Sequence, residues 1–453
     1  MKKIKVIGGG LAGPEAALTA ALLGCEVALY EMRPHRSTEA HQTSDFAELV
    51  CSNSLKSESE NTAPWLLKQE MRRAGSVLLA EADATAVPAG HALAVDRELF
   101  SKRVAEKIAA EPRITVYREE VTSLDENDDD TITILASGPL TSPALTAELQ
   151  RLTGADHLAF YDSISPIVDA TTIDMDKVYF AARYDKGTAD YINCPFTKEE
   201  YETFLDALVN AEHVEAKDWE KFPVDCTSAK LDYFEGCLPI EETARRGRDT
   251  LRFGPMKPVG LTDPKTGRWP YAVVQLRQEN LRADSYNLVG FQNHLKYGEQ
   301  ARVLRLIPGL EKATFLRYGQ IHRNTYINAP TLLNETLQLR AHPNVMIAGQ
   351  LSGVEGYTES IASGMLAGRY AAALAQGNTP VVAPRVSANG SLTHYITHAE
   401  DSGKTKRFQP ANITFDLLPP LETELRKKMR DKKERHKLQC ERALEAWDAW
   451  LRL

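Results

Sequence analysis

The run from Lys5 to Glu31, KVIGGGLAGPEAALTAALLGCEVALYE, constrains the fold of this chain more than any other stretch. Ile4-Lys5-Val6-Ile7 predicts a short buried strand. The turn Gly8-Gly9-Gly10-Leu11-Ala12-Gly13 follows, with Gly8, Gly10 and Gly13 in G-x-G-x-x-G spacing. Pro14 to Leu23 predicts an Ala/Leu-rich helix, in which a proline near the start costs little because the first N–H groups have no partner within the helix. Gly24 closes that helix, and Glu26 to Glu31 predicts a second strand. Gly8 permits the tight turn, Gly10 lets backbone approach a pyrophosphate, and Gly13 lets helix and strand pack closely. The helix N-terminus offers N–H groups and a partial positive charge to phosphate. Glu31, ending the second strand, is placed to accept hydrogen bonds from an adenosine ribose. A lone glycine triplet would be weak evidence. Strand, turn, helix, strand and acid in this sequence make an ADP-binding βαβ unit.

The 453-residue chain has room for two or three domains around a large core. With 43% hydrophobic and 26% charged residues it has the composition of a soluble protein. No run of about 18 apolar residues predicts a membrane span. The chain enters its first strand at once, without a secretory signal pattern, so a cytoplasmic location is expected. Six cysteines without a C-x-x-C pair or a metal-ligand spacing suggest neither a disulfide framework nor a metal site. A net charge of −8 argues against a generally basic nucleic-acid binder, though not against a local basic face.

Beyond Glu31 a long polar connection, HRSTEAHQTSDFAELVCSNSLKSES, carries Cys51 among polar neighbours, as functional loops often do. A helix is predicted from Ala63 to Glu81. Asp96 reads as the N-cap of a helix from Arg97 to Ala109. Strands Ile114–Tyr117 and Thr131–Ala136 bracket an acidic turn. The second runs into Ser137-Gly138-Pro139, where small residues let backbone pass close to a cofactor. From Leu140 to Arg323 short strands and helices alternate between Pro/Gly turns, including Asn193-Cys194-Pro195 and Gly236-Cys237-Leu238-Pro239. Tyr271–Gln278 and Tyr286–Gln292 alternate as strands do. Asn344–Gln350 is a buried strand ending at Gly349. A loop with Gly353, Glu355 and Gly356 leads into a small-residue helix, Ser360–Ala375, whose N-terminus suits a pyrophosphate or a flavin edge. The tail from Leu418 is predicted helical. Arg426 to Lys437 holds eight Lys/Arg against two acids, a candidate phosphate contact.

These patterns predict an α/β protein: a Rossmann-type FAD-binding domain of the two-dinucleotide-domain flavoprotein kind, with a mixed α+β insertion domain. The expected divisions are residues 1–139 and 324–417 for the two parts of the FAD-binding domain, 140–323 for an inserted substrate domain, and 418–453 for a basic C-terminal helix.

Several longer motifs fall in one sequence along the chain: GGGLAGPEAA with YEMRP, FAELVCSNSLKS, VPAGHALAVDRELF, FEGCLPIE, FGPMKPVGL, PYAVVQLRQ, IHRNTYINAP and AGQLSGVEGYTESIASGMLAG. From Lys3 to about Pro410 the chain resembles the bacterial folate- and FAD-dependent tRNA (uracil-5-)-methyltransferases, smaller relatives of the GidA-type tRNA-modifying flavoproteins. The resemblance implies transfer of a one-carbon unit from 5,10-methylenetetrahydrofolate to carbon 5 of a T-loop uridine in tRNA. It implies FAD as reductant and methylene carrier, replenished by NADPH or NADH. It maps the family's two reactive cysteines onto Cys51 and Cys237.

Uracil C5 is a poor nucleophile until a thiolate adds to C6, which calls for an activated cysteine. Cys237, in a tight Gly/Pro turn, is assigned to uracil C6, and Cys51 to the flavin side, although the residues alone leave the reverse open. Cys25, Cys194, Cys226 and Cys440 are left to packing or surface. Tyr318, His322, Arg323, Asn324 and Tyr326 form a polar-aromatic run suited to a pterin or flavin, or equally to an ordinary strand. Arg277 and Lys257 are candidates for folate glutamate or RNA phosphate, and Glu355 for flavin or folate. The segment PVDCTSAKLDY before the Cys237 motif departs from the family pattern. The competing readings are a GidA-type enzyme of the wobble uridine, the same chemistry on ribosomal RNA, a flavin-containing RNA-binding protein and a small-molecule flavin oxidoreductase. The sequence does not give an oligomeric state, and a monomer is the working expectation.

Overall fold

A computed structural model describes residues 2–38, 40–124, 128–154, 158–185, 188–214, 238–398, 408–422, 429 and 431–453, and for 158–163 and 321–323 the backbone course alone. Five parallel strands form the first sheet: β1 (Lys3–Ile7), β2 (Val27–Tyr30), β6 (Ile114–Tyr117), β7 (Thr131–Leu135) and β16 (Val345–Ile347), in the spatial order β16-β7-β1-β2-β6. β1 therefore lies between β2 and β7, pairing Ile7 with Tyr30 and with Leu135. The strand arriving from more than a hundred residues later thus returns to the edge of the glycine turn, as expected of a Rossmann-type unit. β1 and β6 end where predicted, β2 and β7 one residue earlier, and β16 three residues earlier at Ile347.

The first helix covers Ala12–Leu22, starting two residues before the predicted Pro14. It packs along the late helix, Tyr357–Ala375. Both are rich in small residues because their backbones nearly touch: a Cβ on Gly364 would lie 2.8 Å from Ala12 Cα, and one on Gly368 3.0 Å from Ala16 Cα. The single helix predicted from Ala63 to Glu81 is two, Ala63–Arg73 and Val77–Ala84. Gly75, at φ +77°, breaks it, and Ser76 caps the second piece by accepting the Leu79 N–H. Asp96 caps the Arg97–Ala110 helix as predicted, accepting the Leu99 N–H at 3.0 Å.

A small antiparallel sheet of β3 (Ser54–Ser57), β4 (Ala86–Val87) and β5 (Ala92–Val95) lies beside this unit. A two-stranded ribbon, β8 (Leu158–Ser163) with β15 (Ile321–Tyr326), leads out and back. Between them lies a six-stranded sheet of β9 (Ile167–Asp169), β10 (Tyr179–Ala181), β11 (Tyr191–Phe196), β12 (Ala272–Gln278), β13 (Ser285–Leu288) and β14 (Phe315–Arg317), in the order β10-β11-β12-β13-β9-β14. Asn193-Cys194-Pro195, predicted as a turn, belongs to β11. β10 ends opposite Asn193, so Pro195, which cannot donate, faces no strand on that side.

Among the described residues two large hydrophobic cores lie under the parallel sheet and around β11 and β12, and a small third cluster joins Val87, Ala89 and Ala94. The C-terminal helix, Lys432–Trp450, buries Trp447 and Trp450 in the first. Trp447 Nε1 donates to the Glu70 carbonyl at 2.7 Å. The tail is not helical from Leu418: the described stretch through Glu422 is irregular around Pro419-Pro420, which cannot donate. No helix among the described residues is long and apolar enough to cross a membrane.

Candidate functional site

The glycine turn is built as the backbone demands. Gly8 has φ +121°, and a Cβ there would overlap the Ala136 carbonyl at the end of β7. A Cβ on Gly13 would overlap the Gly8 carbonyl, and one on Gly9 the Glu31 carboxylate. Gly10 differs, with no atom within 4 Å of its Cβ position. The one glycine required for close approach of a ligand is the one that faces open space.

Glu31 is 6% exposed and already engaged. It accepts from the Gly9 N–H at 2.7 Å, the Arg33 N–H at 2.9 Å and Arg33 Nε at 2.8 Å. Burial alone would raise its pKa, but the hydrogen bonds and charge of Arg33 hold it below the usual carboxylate range. It is an ionised acid whose oxygens brace the turn as well as facing the cavity. Arg33 continues to Glu48 at 3.1 Å, and Glu48 accepts the Gln42 and Thr43 N–H groups, closing the polar connection over the site.

A solvent-open cavity of about 130 Å³ lies over the glycine turn. Gly8, Gly9, Gly10, Leu11, Ala12, Glu31, Gly138 and Gly349 line it, together with Gln350, Tyr357 and Ser360 from the start of the late helix. Two helix N-termini thus border one cleft, and the donor set, the open Gly10 cradle and the anionic Glu31 fit a dinucleotide such as FAD. Gly13, Gly353, Glu355 and Gly356 stand outside the lining. Gly13 serves helix packing, Gly353 lies against the Phe408 ring, and Gly356, at φ +112°, starts the late helix against Lys56 and Glu359. Glu355 is buried and accepts from Gln350 Nε2 at 2.5 Å.

Among the described cysteines Cys25, Cys194 and Cys440 are buried and Cys51 is half-buried. Burial pushes the Cys194 thiol up strongly, and Cys440 up to about 12, so neither supplies a thiolate at neutral pH. Cys51 sits beside the cavity, next to its lining residue Val50. Its N–H donates to the Tyr357 hydroxyl at 2.7 Å, and the Ser52 N–H donates to the same oxygen at 3.2 Å. Tyr357 also lines the cavity, and burial keeps its hydroxyl protonated by raising its pKa. Arg97 donates to the carbonyls of Leu49 at 2.5 Å and Cys51 at 3.3 Å and is ion-paired with Glu279.

Arg277, a candidate for an external phosphate or carboxylate, is instead 7% exposed and turned inward. Its Nε donates to Asn53 Oδ1 at 2.9 Å and its terminal amine to Ser52 Oγ at 2.6 Å. It ties the second sheet to the Cys51 loop. Tyr326, proposed for stacking on a pterin, is 3% exposed, packs on Phe408 and donates to the Phe408 carbonyl at 3.0 Å. Asn324 is buried, and Tyr318 packs between Tyr297 and Phe315. Cys237, Cys226 and the 223–233 stretch lie outside the described residues, as do the side chains of His322 and Arg323.

Tyr357, Arg97 and Lys56, which no spacing in the sequence singles out, hold the Cys51 loop. Lys56 Nζ meets Glu359 at 2.6 Å and Asn412 at 2.8 Å, fixing the Cys51 loop to the late helix. All three lie inside the longer motifs, but their types gave no signal of their own: Tyr357 reads as part of the glycine loop and Arg97 as the residue after a cap.

Comparison with known proteins adds three findings. The sequence profile of the family described as glucose inhibited division protein A matches residues 3–379. The chain is 69% identical over 449 residues to the methylenetetrahydrofolate--tRNA-(uracil-5-)-methyltransferase TrmFO of Koribacter versatilis (strain Ellin345), covering 99% of this chain and 98% of that one. It is 61% identical over 453 residues to the protein of the same name from Solibacter usitatus (strain Ellin6076), with 99% and 98% coverage. Among solved structures, Aquifex aeolicus GidA in its form II crystal matches with a TM-score of 0.70 at 17% identity, covering 99% of this chain and 74% of that one. At that identity the likeness concerns the fold.

Proposed function

The chain belongs to the family of methylenetetrahydrofolate--tRNA-(uracil-5-)-methyltransferases named TrmFO, and from that premise we infer that it transfers a one-carbon unit from 5,10-methylenetetrahydrofolate to carbon 5 of a T-loop uridine in tRNA, giving 5-methyluridine. FAD bound in the cavity would supply, in its reduced form, the two electrons for converting methylene to methyl and a carrier for the one-carbon unit, with NADPH or NADH as the source of reducing equivalents. The glycine turn and the two helix N-termini that line the cavity would hold its phosphates, and Glu31 would meet its ribose. The observation that carries this reading is the position of Cys51. Tyr357 lines the dinucleotide cavity and also holds the Cys51 and Ser52 N–H groups. The Cys51 backbone is thereby held next to the cavity lining, a place from which its thiol would serve reductive one-carbon transfer on the flavin side.

In this reading Cys237 adds as thiolate to uracil C6, so that C5 becomes an enolate carbon able to attack the methylene. Loss of the C5 proton and cleavage of the bond from the methylene to its carrier nitrogen leave an exocyclic methylene, and its two-electron reduction to methyl expels the Cys237 thiolate and restores the ring. Cys51 works on the flavin side, where Arg97, Tyr357 and Arg277 keep its loop rigid. We assign residues 140–323 to the substrate side, although their first helix, Pro143–Thr153, packs its leucines in the nucleotide core. The test is nucleoside analysis of an unmodified tRNA transcript after reaction with purified protein. 5-Methyluridine at the T-loop position, formed only when methylenetetrahydrofolate and a nicotinamide reductant are both present, is the expected result. Product on ribosomal RNA alone would contradict the substrate, and product without folate would contradict the one-carbon source.

A further inference from the structure

The second sheet carries a surface that the chemistry above leaves unused. Along β12, Gln275 and Arg277 point to the same face, since side chains alternate along a strand. Arg277 meets Ser52 beside Cys51. One step along the same face, Gln275 Oε1 accepts from Arg183 at 3.0 Å. Arg183 also donates to the carbonyls of Lys257, at 3.1 Å, and Val259. The face that holds the Cys51 loop therefore continues directly into the Lys257–Gly260 segment. There the Tyr184 N–H donates to the Gly260 carbonyl, and the Tyr184 ring lies over Gly260.

This region exposes rings that a folded protein would otherwise bury. Phe253 is 79% exposed, Trp269 55% and Tyr184 53%. Lys257, Lys265 and Arg268 are exposed along the same 253–269 stretch. Among the described residues none of these three cations has an ion-pair partner, whereas neighbouring Arg252 pairs with Asp249 at 2.7 Å and Arg282 with Asp284 at 2.8 Å. Unpaired cations interleaved with isolated rings, on a chain of net charge −8, suit a polyanion that also offers flat faces. An aliphatic partner protein would call for a continuous apolar patch.

We propose that Tyr184, Phe253 and Trp269, with Lys257, Lys265 and Arg268, form the surface on which the tRNA docks, the cations meeting phosphates and the rings stacking on bases outside the reacting loop. The proposal rests on the functional reading above and locates its substrate. β12 spans roughly 20 Å between this surface and the Cys51 loop, at about 3.3 Å per residue. That is well within the footprint of an RNA duplex recognised over roughly 16 base pairs.

The experiment is a titration of the full-length, flavin-loaded protein with unmodified tRNA transcript, read by fluorescence anisotropy across a salt series. The combined variant K257E/K265E/R268E is expected to bind at least about ten-fold more weakly and to lose roughly two to three units of salt slope, near 0.7–0.9 per phosphate contact. The variant F253A/W269A is expected to weaken binding with the slope unchanged. Flavin content and the flavin absorbance spectrum, read on each variant, separate a docking defect from misfolding. Wild-type affinity and slope in both variants would overturn the proposal, as would a loss seen only in K432E/K433E/R435E of the C-terminal helix. If the wild-type protein binds tRNA and the surface variants match it, the surface alone is refuted. If the wild type shows no salt-dependent tRNA binding, the functional reading falls with it.

Discussion

One hydroxyl, that of Tyr357, joins the two halves of the site. It faces the dinucleotide cavity and accepts both the Cys51 and Ser52 N–H groups, so its loss would leave two partly buried donors without a partner. Each such group costs about 1–3 kcal/mol. Tyr357→Phe keeps the ring and the packing, and is expected to lower kcat/KM for 5-methyluridine formation by about ten-fold or more while flavin stays bound; unchanged kinetics would show that the loop needs no such anchor. A second residue-scale effect concerns pH. Glu15 in the first helix is fully buried, accepts the Leu78 N–H at 2.8 Å, and is pushed by that burial to a pKa of about 7. A carboxyl raised in the folded state keeps its proton between pH 4.5 and 7, where the unfolded chain has lost it. Its contribution to stability is thus greatest at low pH and declines as pH rises through that window. Glu15→Gln cannot titrate, so the variant is expected to gain on the wild type by about 3 kcal/mol from pH 4.5 to above 7, at about 1.4 kcal/mol per unit. Denaturant midpoints measured at both ends of the window check this, and a constant difference would contradict it.

At the scale of elements, the site depends on how closely two helices approach. Gly364→Ala gains helix propensity worth up to about 1 kcal/mol. Its new Cβ would lie 2.8 Å from Ala12 Cα and overlap the Ala12 carbonyl, which is backbone and cannot swing aside. Overpacking of this kind costs about 1–3 kcal/mol, so the overlap outweighs the propensity. The expected result is a lower melting temperature and reduced flavin occupancy, because Ala12 begins the helix that faces the cofactor; a more stable variant with full flavin would refute the close-packing explanation. These same elements show what a sequence can reveal. The glycine turn and the Asp96 cap are legible because each answers a need of the backbone within a few residues. The break at Gly75 is harder, since one glycine is tolerated inside many helices. Pro195 misleads for the converse reason: a proline signals a turn locally, and only the early end of β10 makes it acceptable in a strand.

At the scale of the whole molecule, polar contacts between the two cores set the position of the Cys51 loop. Asn53 Nδ2 donates to Val95 O at 3.1 Å and to Gln278 O at 2.9 Å, Arg277 holds Ser52 and Asn53, and Arg97 pairs with Glu279. None of this is legible from spacing, because Tyr357 stands 306 positions from Cys51 and Arg277 225 from Ser52. Arg277 looked like a surface charge in the sequence because its partners are supplied by the other core. Arg277→Ala is expected to cost about 2–3 kcal/mol through its two charge-assisted hydrogen bonds. It should speed hydrogen exchange across residues 50–56 and lower methyl transfer without releasing flavin. Unaltered exchange there would mean that the loop is held from the first core alone. The most direct measurement of the chemistry is folate-dependent 5-methyluridine formation on unmodified tRNA by Cys51→Ala and Cys237→Ala beside the wild type, with flavin content recorded for each. Loss of product in both variants, with flavin retained, is the predicted result. Wild-type product from Cys51→Ala would contradict the central claim that the thiol held at the edge of the dinucleotide cavity takes part in the transfer.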